Sequence, residues 1–148
     1  MNVRRVNSGD RNEWARMRNA LWPGSLEEHL DEIDKYFSKG EIEIAEVFVL
    51  ERGDGELGGF IELNLRNYAE GSQSTKVPYV EGWYVDGDLR GRGYGKQLMQ
   101  AGETWAIENG FAELASDAVL DNSDSIAAHK SLGFVEVERI VCFIKKLG

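Results

Sequence analysis

A short stretch rich in glycine and basic residues constrains this chain more than any other feature. Residues 90–96 read RGRGYGK, and a run of aromatic and β-branched residues at 79–85 predicts a strand just before them. Apolar residues at helical spacing predict a helix just after them. Glycines let backbone N–H groups converge, and a helix N-terminus adds partial positive charge, so such a turn suits phosphate. The chain is therefore expected to be an α/β protein with an anion site after a central strand.

Spacing excludes three better-known motifs that contain glycine at close intervals. A Walker A loop needs glycine where Arg90 stands and a hydroxyl residue where Gln97 stands. A dinucleotide fingerprint needs glycine or alanine at Lys96, and an EF-hand starting at Asp86 needs glutamate at 97. The alternative to an anion site is a turn that only closes a loop. The candidate phosphate-binding residues are Arg90, Gly91, Arg92, Gly93, Tyr94, Gly95 and Lys96.

The apolar pattern predicts the element order β-α-α-β-β-β-α-β-α-β-β. Strands are expected at residues 3–6, 43–51, 57–65, 79–85, 111–117, 134–138 and 140–146. Helices are expected after the sequence DRNE at 10–13, after SLEE at 25–28, after Gly95 and over 122–132, and both four-residue sequences resemble capping boxes. This order predicts an α/β (α+β) fold in which helices flank a mixed, mostly antiparallel central sheet.

Length and charge narrow the possible partners. The 148 residues suffice for a single domain over 1–148 that buries a core without disulfides. A net charge of −9 argues against a nucleic-acid-binding protein, which usually carries a basic surface. Residues 25–46 alone hold eight acidic residues and two lysines. They are either a solvated helix face or an acidic rim that attracts a polycation.

Metal and membrane roles find no support in the sequence. Cys142 is the single cysteine, and His29 and His129 are far apart, so no structural metal site is expected. No apolar run approaches the ~18 residues of a membrane span, and no signal peptide is visible. We expect a cytoplasmic protein.

Two spaced motifs together resemble the GNAT superfamily of acetyl-CoA-dependent N-acetyltransferases. The superfamily pattern R/Q-x-x-G-x-G/A is present as Arg90, Gly93 and Gly95. A later pattern that runs from an asparagine to G-F is present at 122–134, with His129 where the superfamily often has tyrosine. The resemblance covers nearly the whole chain. It implies acetyl-CoA as co-substrate and a cleft where two strands splay apart.

Shorter segments are similar to the aminoglycoside 6′-N-acetyltransferases. They are LWPG at 21–24, EG at 81–82, ASD at 115–117, LGF at 132–134 and ER at 138–139. The resemblance implies acetyl transfer to the 6′-amine of aminoglycoside antibiotics, which confers resistance. It also implies a homodimer whose C-terminal strands contact the second subunit.

The same resemblance assigns the site residues. The pyrophosphate would lie on residues 90–95, and the pantetheine arm on Asn122 and the backbone of Trp83, Tyr84 and Val85. The antibiotic would contact Trp22, Tyr68, Glu81, Asp117 and Glu138, with Glu138 acting across the dimer. His129 stands where a tyrosine can protonate the leaving thiolate, which leaves two alternatives: the histidine protonates the thiolate, or the thiolate leaves unaided.

The chemistry needs a proton acceptor, because only a neutral amine attacks a thioester. An amine of lysine type is neutral in about one molecule in a thousand at pH 7.4, a penalty of roughly 4 kcal/mol. Asp117 and Glu81 are the candidate acceptors, directly or through a water. Asp117 is favoured for contact with the amine and Glu81 for orientation, although the roles are exchangeable.

Each of these residues has a structural alternative. Glu81 alternates with apolar neighbours like a surface strand residue, Asp117 suits the cap of a turn, and Trp22 suits a core. At the level of the whole protein, two other functions remain open. One is acetylation of another amine, such as a polyamine, an amino sugar or a peptide. The other is a non-catalytic module that senses acyl-CoA.

Overall fold

The computed structural model describes residues 1–148 as five strands and four helices around one open sheet. The strands are β1 (Asn2–Arg5), β2 (Glu46–Gly53), β3 (Glu56–Arg66), β4 (Val77–Val85) and β5 (Ala115–Ser116). The helices are α1 (Arg11–Leu21), α2 (Leu26–Phe37), α3 (Tyr94–Glu108) and α4 (Ser123–Ser131). Short 3-10 turns at Ser8–Asp10 and Gly87–Leu89 precede α1 and the turn before α3.

The sheet is mixed and mostly antiparallel, as predicted. Its strands follow chain order, β1-β2-β3-β4-β5. The first four are antiparallel neighbours, and β5 lies parallel to β4. A parallel neighbour needs a crossover connection, and α3 supplies it.

Helices pack on both faces of the sheet, which also confirms the prediction. Successive side chains of a strand point to opposite faces. Accordingly Phe60 of β3 packs with α1 and α2, whereas Ile61 packs with α3. The buried residues that join α1 and α2 to the sheet include Trp14, Met17, Ile33, Val49 and Leu57, and those that join α3 include Leu63, Val80, Leu98, Met99 and Trp105.

The sheet opens between β4 and β5. Only two residue pairs join these strands, Tyr79 with Ala115 and Val80 with Ser116. Beyond Ser116 the strands separate, while β4 continues to Val85 in register with β3. One edge of β4 is therefore left without a strand partner over residues 81–85. This separation is the predicted splay, and we call it the fork.

A β-bulge lies at the fork. Glu62 of β3 pairs with Gly82, but the next residue, Leu63, pairs with Val80. Glu81 is thus the extra residue of β4. Bulges often re-aim a side chain beside a functional site, and this one changes the direction of Glu81 at the point where the sheet opens.

Strand β5 is shorter than the predicted strand over 111–117. The register pairs residue 115 with 79, so residue 113 would stand opposite Val77, where β4 begins. Residues 111 and 112 would stand opposite positions that precede β4. After Ser116 the fork ends the pairing, and only Ala115 and Ser116 form the strand.

The two closing strands predicted at 134–138 and 140–146 are wrong, because the structure has no strand after β5. Alternating apolar residues are typical of a strand, but a strand also needs a partner for its backbone groups. Within one chain, residues 134–148 have none. Phe143 and Ile144 are each 92% exposed. We call residues 134–148 the C-terminal segment.

The capping prediction is right for α2 and wrong for α1. Ser25 Oγ accepts a hydrogen bond from the Glu28 N–H at 3.2 Å. Asp10 does not cap α1. Its carboxylate instead accepts from the Asn7 N–H at 2.8 Å and pairs with Arg4, which moves the capping box one turn earlier.

Candidate active site

The turn before α3 has an open backbone. Gly91 and Gly93 adopt φ angles of 77° and 86°, a region that suits glycine, and Gly93 is the N-cap of α3. A Cβ added at either glycine would meet no protein atom within 4 Å. None of the backbone N–H groups of residues 91–96 donates a hydrogen bond within the chain. The turn therefore presents free donors at a helix N-terminus, which is the chemistry of a phosphate site.

The three basic side chains of the turn differ in whether they contact the protein. Arg90 Nε donates to the Val85 carbonyl at 2.8 Å, and its guanidinium lies 5.7 Å from the Tyr84 ring centre. Arg92 and Lys96 are exposed and form no salt bridge. Arg90 thus fixes the turn to the end of β4, while the other two charges are available to an anion. This donor set fits the phosphate groups of coenzyme A.

The free edge of β4 leads from the turn to the fork. It carries Trp83, Tyr84 and Val85, the residues predicted to pair with pantetheine. Trp83 Nε1 donates to the Gly95 carbonyl at 2.9 Å, and a Cβ at Gly95 would lie 3.3 Å from the indole. This contact holds the first turn of α3 against β4. Consequently the turn at residues 90–96, which we call the anion turn, and the free edge of β4 lie side by side.

Asn122 lies on the other side of the fork, at the start of α4. Its side-chain oxygen accepts from the Ser125 N–H at 3.1 Å, so Asn122 caps this helix. Its amide N–H₂ is not used by the protein. The predicted contact with pantetheine therefore depends on that amide.

A chain of polar contacts links the two predicted carboxylates. Arg66 donates to both oxygens of Glu81, at 2.7 and 2.8 Å. The Arg66 guanidinium also stacks 3.6 Å from the centre of the Tyr79 ring. Tyr79 in turn donates its hydroxyl proton to Asp117 at 2.8 Å. The structure thus brings Glu81 and Asp117 together through two residues that the sequence analysis did not select.

Burial and neighbouring charges shift the pKa values of two residues in this series of contacts. Burial, and then the hydrogen bond to Asp117, raise the pKa of Tyr79, so its hydroxyl stays protonated as a donor. The Glu81 carboxylate raises the pKa of Arg66. Asp117 is exposed, whereas the Glu81 side chain is 26% exposed and held at both oxygens. Asp117 is therefore the more available of the two carboxylates.

A cavity of about 410 Å³ opens beside this series of polar contacts. Its polar lining comes from β3, β4, β5, α4 and the C-terminal segment. The lining includes Arg66, Tyr79, Ser116, Asp117, His129 and Glu138. Two of the predicted antibiotic contacts, Asp117 and Glu138, therefore share one cavity with the predicted acid, His129.

The other predicted substrate residues lie at different places. Trp22 packs onto Gly82, where a Cβ would come within 2.6 Å of the indole, and its ring lies 6.2 Å from that of Phe60. Trp22 therefore stands next to Glu81 on β4, and it is half-buried. Tyr68 is 65% exposed in the loop after β3. Glu138 is exposed in the C-terminal segment and forms no salt bridge.

A buried ion pair lies beneath Trp22. Arg18 Nε is 2.8 Å from Glu62 Oε1, and the two side chains are 7% and 2% exposed. Trp14 Nε1 donates to the same oxygen at 2.9 Å, and the Arg18 guanidinium lies 5.3 Å from the Trp22 ring centre. Burial raises the pKa of Glu62 to about 7, although Arg18 acts in the opposite direction. This pair supports the indole from the core side.

His129 is held by contacts on both ring nitrogens. Nδ1 is 2.7 Å from the Ser125 carbonyl oxygen, and Nε2 is 2.7 Å from Ser116 Oγ. The rings of Trp83 and Phe134 stand edge-on at 5.1 Å each. His129 therefore lies at the fork, beside the predicted pantetheine strand.

Sequence reasoning missed Arg66, Tyr79 and Ser116. Arg66 ends β3, and nothing in the local pattern indicates that it reaches Glu81. That contact depends on the pairing of β3 with β4 around the bulge. Ser116 carried a signal, because it lies between two residues of the ASD segment that was singled out for Asp117.

Two further features bear on the sequence predictions. The structure brings no three His, Cys, Asp or Glu side chains together in a way that could hold a metal ion. None of its helices has the length and apolar character needed to cross a membrane.

Comparison with known proteins gives consistent results. A sequence model of the Acetyltransferase (GNAT) family matches residues 14–134. An aminoglycoside N(6′)-acetyltransferase type 1 from Klebsiella aerogenes is 43% identical over 146 residues, which is 98% of this chain and 96% of that protein. A protein of the same name from Stenotrophomonas maltophilia is 37% identical over 95% of this chain and 90% of its own length.

Solved structures agree in fold. The apo crystal structure of the aminoglycoside 6′-N-acetyltransferase AAC(6′)-IG from Acinetobacter haemolyticus has a TM-score of 0.87 at 33% identity, with all of both chains covered. AAC(6′)-Iy in complex with the bisubstrate analogue CoA-S-monomethyl-acetylneamine has a TM-score of 0.88 at 31% identity, covering 99% of this chain and 98% of that one. Both resemblances stated from the sequence are confirmed. The chain belongs to the GNAT family of acetyltransferases, among the aminoglycoside N(6′)-acetyltransferases of type 1.

Proposed function

We propose that this protein transfers the acetyl group of acetyl-CoA to the 6′-amine of aminoglycosides and thereby confers resistance to them. One observation carries the proposal. The fork joins an anion-binding turn on one side to a cavity lined by Asp117 on the other. A thioester laid along the free edge of β4 would then reach Asp117 in the cavity wall with its acetyl end. We place the reaction in the cytoplasm, where acetyl-CoA is available.

Exposed carboxylates in the cavity wall, those of Asp117 and Glu138, suit a cationic amine. Carboxylates attract an ammonium group but also favour its charged form, so the site needs a proton acceptor as well. Asp117 is exposed and shares its charge with only one donor, Tyr79. Arg66 already engages both oxygens of Glu81. Asp117 is therefore the proposed contact for the reacting amine, directly or through a water, and Glu81 orients the site.

Backbone groups at the fork supply the remaining catalytic element. The tetrahedral intermediate carries a negative oxygen, which preorganised N–H donors stabilise. The edge of β4 that faces the fork has no strand partner over residues 81–85, so its N–H groups are available there. The bulge at Glu81 sets their direction.

The charge of the whole chain supports a polycationic acceptor. The net charge is −9, and residues 25–46 contribute eight acidic residues and two lysines. Because Trp22 directly follows α1 and α2 begins at Leu26, this acidic segment starts close to the indole that packs on β4. Such a field raises the local concentration of a cation near the cavity.

A homodimer is part of the proposal. The C-terminal segment is rich in apolar residues, with an unbroken apolar run at 140–144. Several of its apolar side chains are exposed: Val135, Val137, Ile140, Val141, Phe143, Ile144 and Leu147. A monomer rarely exposes so much apolar surface along one segment. A second copy of the chain would cover it, and Glu138 would then face the acceptor site of the dimer.

An acceptor panel tests the proposed function. Release of free thiol from acetyl-CoA is measured with each of three amines: neamine, spermidine and glucosamine. Mass spectrometry then measures the masses of the products. We expect thiol release and a singly acetylated product with neamine, and only the background rate with the other two. Equal turnover of spermidine would contradict the acceptor class. Tight acetyl-CoA binding without turnover of any amine would contradict the enzymatic function itself.

A further inference from the structure

The two hydrogen bonds of His129 decide which ring nitrogen carries the proton in its neutral form. Nδ1 lies 2.7 Å from the carbonyl oxygen of Ser125, and a carbonyl oxygen only accepts. Nδ1 therefore carries the proton. In the neutral imidazole Nε2 is then an acceptor, and Ser116 Oγ, at 2.7 Å, donates to it. The pair is thus a serine hydroxyl directed at the basic nitrogen of a histidine.

Neighbouring groups keep the pair in this arrangement. The rings of Trp83 and Phe134 stand edge-on to the imidazole at 5.1 Å each, which restricts its rotation. Ser116 is fixed by its strand, because it is the last residue of β5 that pairs with β4. The hydroxyl therefore sits where the two strands separate, one residue before Asp117.

The location matters because both reacting groups would meet there. The cavity that Asp117 lines also has Ser116 and His129 in its wall. The free edge of β4 passes the same point on its way to the anion turn. Because the Ser116 hydroxyl directs its hydrogen at His129, its oxygen lone pairs remain free to accept a hydrogen bond from a group in the cavity.

We propose that Ser116 and His129 form a proton relay that carries a proton from the attacking amine nitrogen to the departing sulfur. The inference rests on the proposed acetyl transfer. It deepens that proposal by adding Ser116, a residue that the sequence analysis did not select, and by giving His129 two successive roles.

The relay is balanced over one turnover. Asp117, directly or through a water, takes the first proton of the ammonium group. The neutral amine then attacks the thioester carbon, forming the C–N bond and a tetrahedral intermediate with a positive nitrogen and a negative oxygen. The nitrogen gives one proton to Ser116 Oγ while Ser116 gives its own to His129 Nε2. The intermediate collapses, the C–S bond breaks, and the electron pair leaves with sulfur. His129 returns its proton to Ser116, and Ser116 protonates the thiolate, so both residues end as they began.

Ser116→Ala tests the relay, because it removes the hydroxyl without changing the charge of the site. General acid–base catalysis contributes about 100-fold or more, so we expect kcat to fall by about 100-fold. The dissociation constant of acetyl-CoA should stay unchanged. Ser116→Thr keeps a hydroxyl at a strand position and should stay within a few-fold of the wild-type kcat.

Two further variants separate the relay from a structural role. Ser131→Ala is the matched control, since its hydroxyl donates to the Ala128 carbonyl at 2.8 Å within α4 and touches no part of the pair. It should behave as wild type. His129→Gln combined with Ser116→Ala should be about as slow as the slower single variant, because residues that act as one unit are not additive.

Three outcomes would overturn the inference. The first is a wild-type kcat in Ser116→Ala while the wild-type protein turns over neamine, which leaves the proposed function intact. The second is a Ser116→Thr variant as slow as Ser116→Ala. The third is an acetyl group on Ser116 when acetyl-CoA is supplied without an amine, which assigns the serine as a nucleophile. Absence of wild-type turnover would instead contradict the proposed function and the relay with it.

Discussion

Asp117 and Glu81 differ in the number and charge of the hydrogen-bond donors that their carboxylates already accept from. Glu81 is clamped by the guanidinium of Arg66, whereas Asp117 accepts one hydrogen bond from Tyr79 and faces the cavity. A carboxylate that is bound at both oxygens is a poor proton acceptor. The geometry therefore distinguishes two residues that the sequence left exchangeable. The Arg66 contact that makes the distinction follows from a bulge, and the sequence pattern carries no sign of it.

Asp117→Asn should lower kcat by about 100-fold or more, the contribution of a general base. The amide keeps the shape and still accepts the Tyr79 proton, but it takes no proton from an amine. The dissociation constant of acetyl-CoA should change little, since Asp117 lies across the fork from the anion turn. Steady-state kinetics and calorimetry measure the two quantities. An equal loss of both would assign Asp117 a structural role.

Glu62 makes stability depend on pH. Burial raises its pKa from 4.5 to about 7, so between those values the folded protein holds a proton that the unfolded chain has released. The free energy of unfolding therefore falls as pH rises from about 4.5 to 7, by up to about 3 kcal/mol. Paired carboxylates such as Asp10 and Asp86, whose pKa values are lowered, act below this window.

Urea unfolding of the wild type and Glu62→Gln at several pH values tests this expectation. The amide does not titrate, so the variant should lose the downward slope between pH 4.5 and 7. The slope is the readout, because the variant also leaves Arg18 with fewer partners and is less stable at every pH. Parallel curves for the two proteins would contradict the account.

At the scale of elements, the turn before α3 depends on glycines, because side chains there would occupy the space that an anion needs. Gly93 adopts a φ of 86°, and a Cβ there would point into space that no protein atom occupies. That space is where the backbone would approach a phosphate. Sequence reasoning could predict this turn because its chemistry is local: glycines, basic residues and a helix start lie within seven residues.

Gly93→Val should abolish measurable acetyl-CoA binding while the protein still folds. The strained φ costs about 1–2 kcal/mol, and the side chain blocks the phosphate. Gly87→Ala is the control, because Gly87 lies in the preceding 3-10 turn, has no positive φ and also has open space around its Cβ. Calorimetric titration with acetyl-CoA, with melting curves of both variants, gives the answer. Wild-type affinity in Gly93→Val would remove the anion turn from the account.

Elements that depend on distant partners were predicted less well. The length of β5 depends on its register with β4 and on the fork, and the sequence of residues 111–117 indicates neither. The closing strands failed for a related reason, since alternation describes a segment but not its partner. The helices α2 and α3 were predicted because their apolar stripes and start signals are local.

At the scale of the whole molecule, the C-terminal segment is the surface on which the proposed dimer depends. Its exposed apolar side chains have no cover in one chain, and Glu138 belongs to the same segment. The proposed dimer would cover these apolar side chains. Glu138 lines the cavity of Asp117 in its own chain and forms no salt bridge there, so its carboxylate is available to an acceptor.

We expect the wild type to be a dimer and the double variant Phe143→Asp and Ile144→Asp to be a monomer. Both side chains are 92% exposed, so charges there are tolerated in a single chain but not in an apolar interface. Light scattering coupled to size-exclusion chromatography measures the mass. Val119→Asp serves as control, since Val119 is 71% exposed and lies outside the C-terminal segment. A monomeric wild type would exclude a role for Glu138 across subunits.

The central claim is acetyl transfer to one particular amine, and a pair of antibiotics tests it directly. Neomycin and paromomycin differ only in an amine or a hydroxyl at the 6′ position. We would measure thiol release from acetyl-CoA with each antibiotic at equal concentration. The account predicts turnover with neomycin and none with paromomycin. Equal turnover with both would contradict it, because the acetylated amine would then lie elsewhere on the antibiotic.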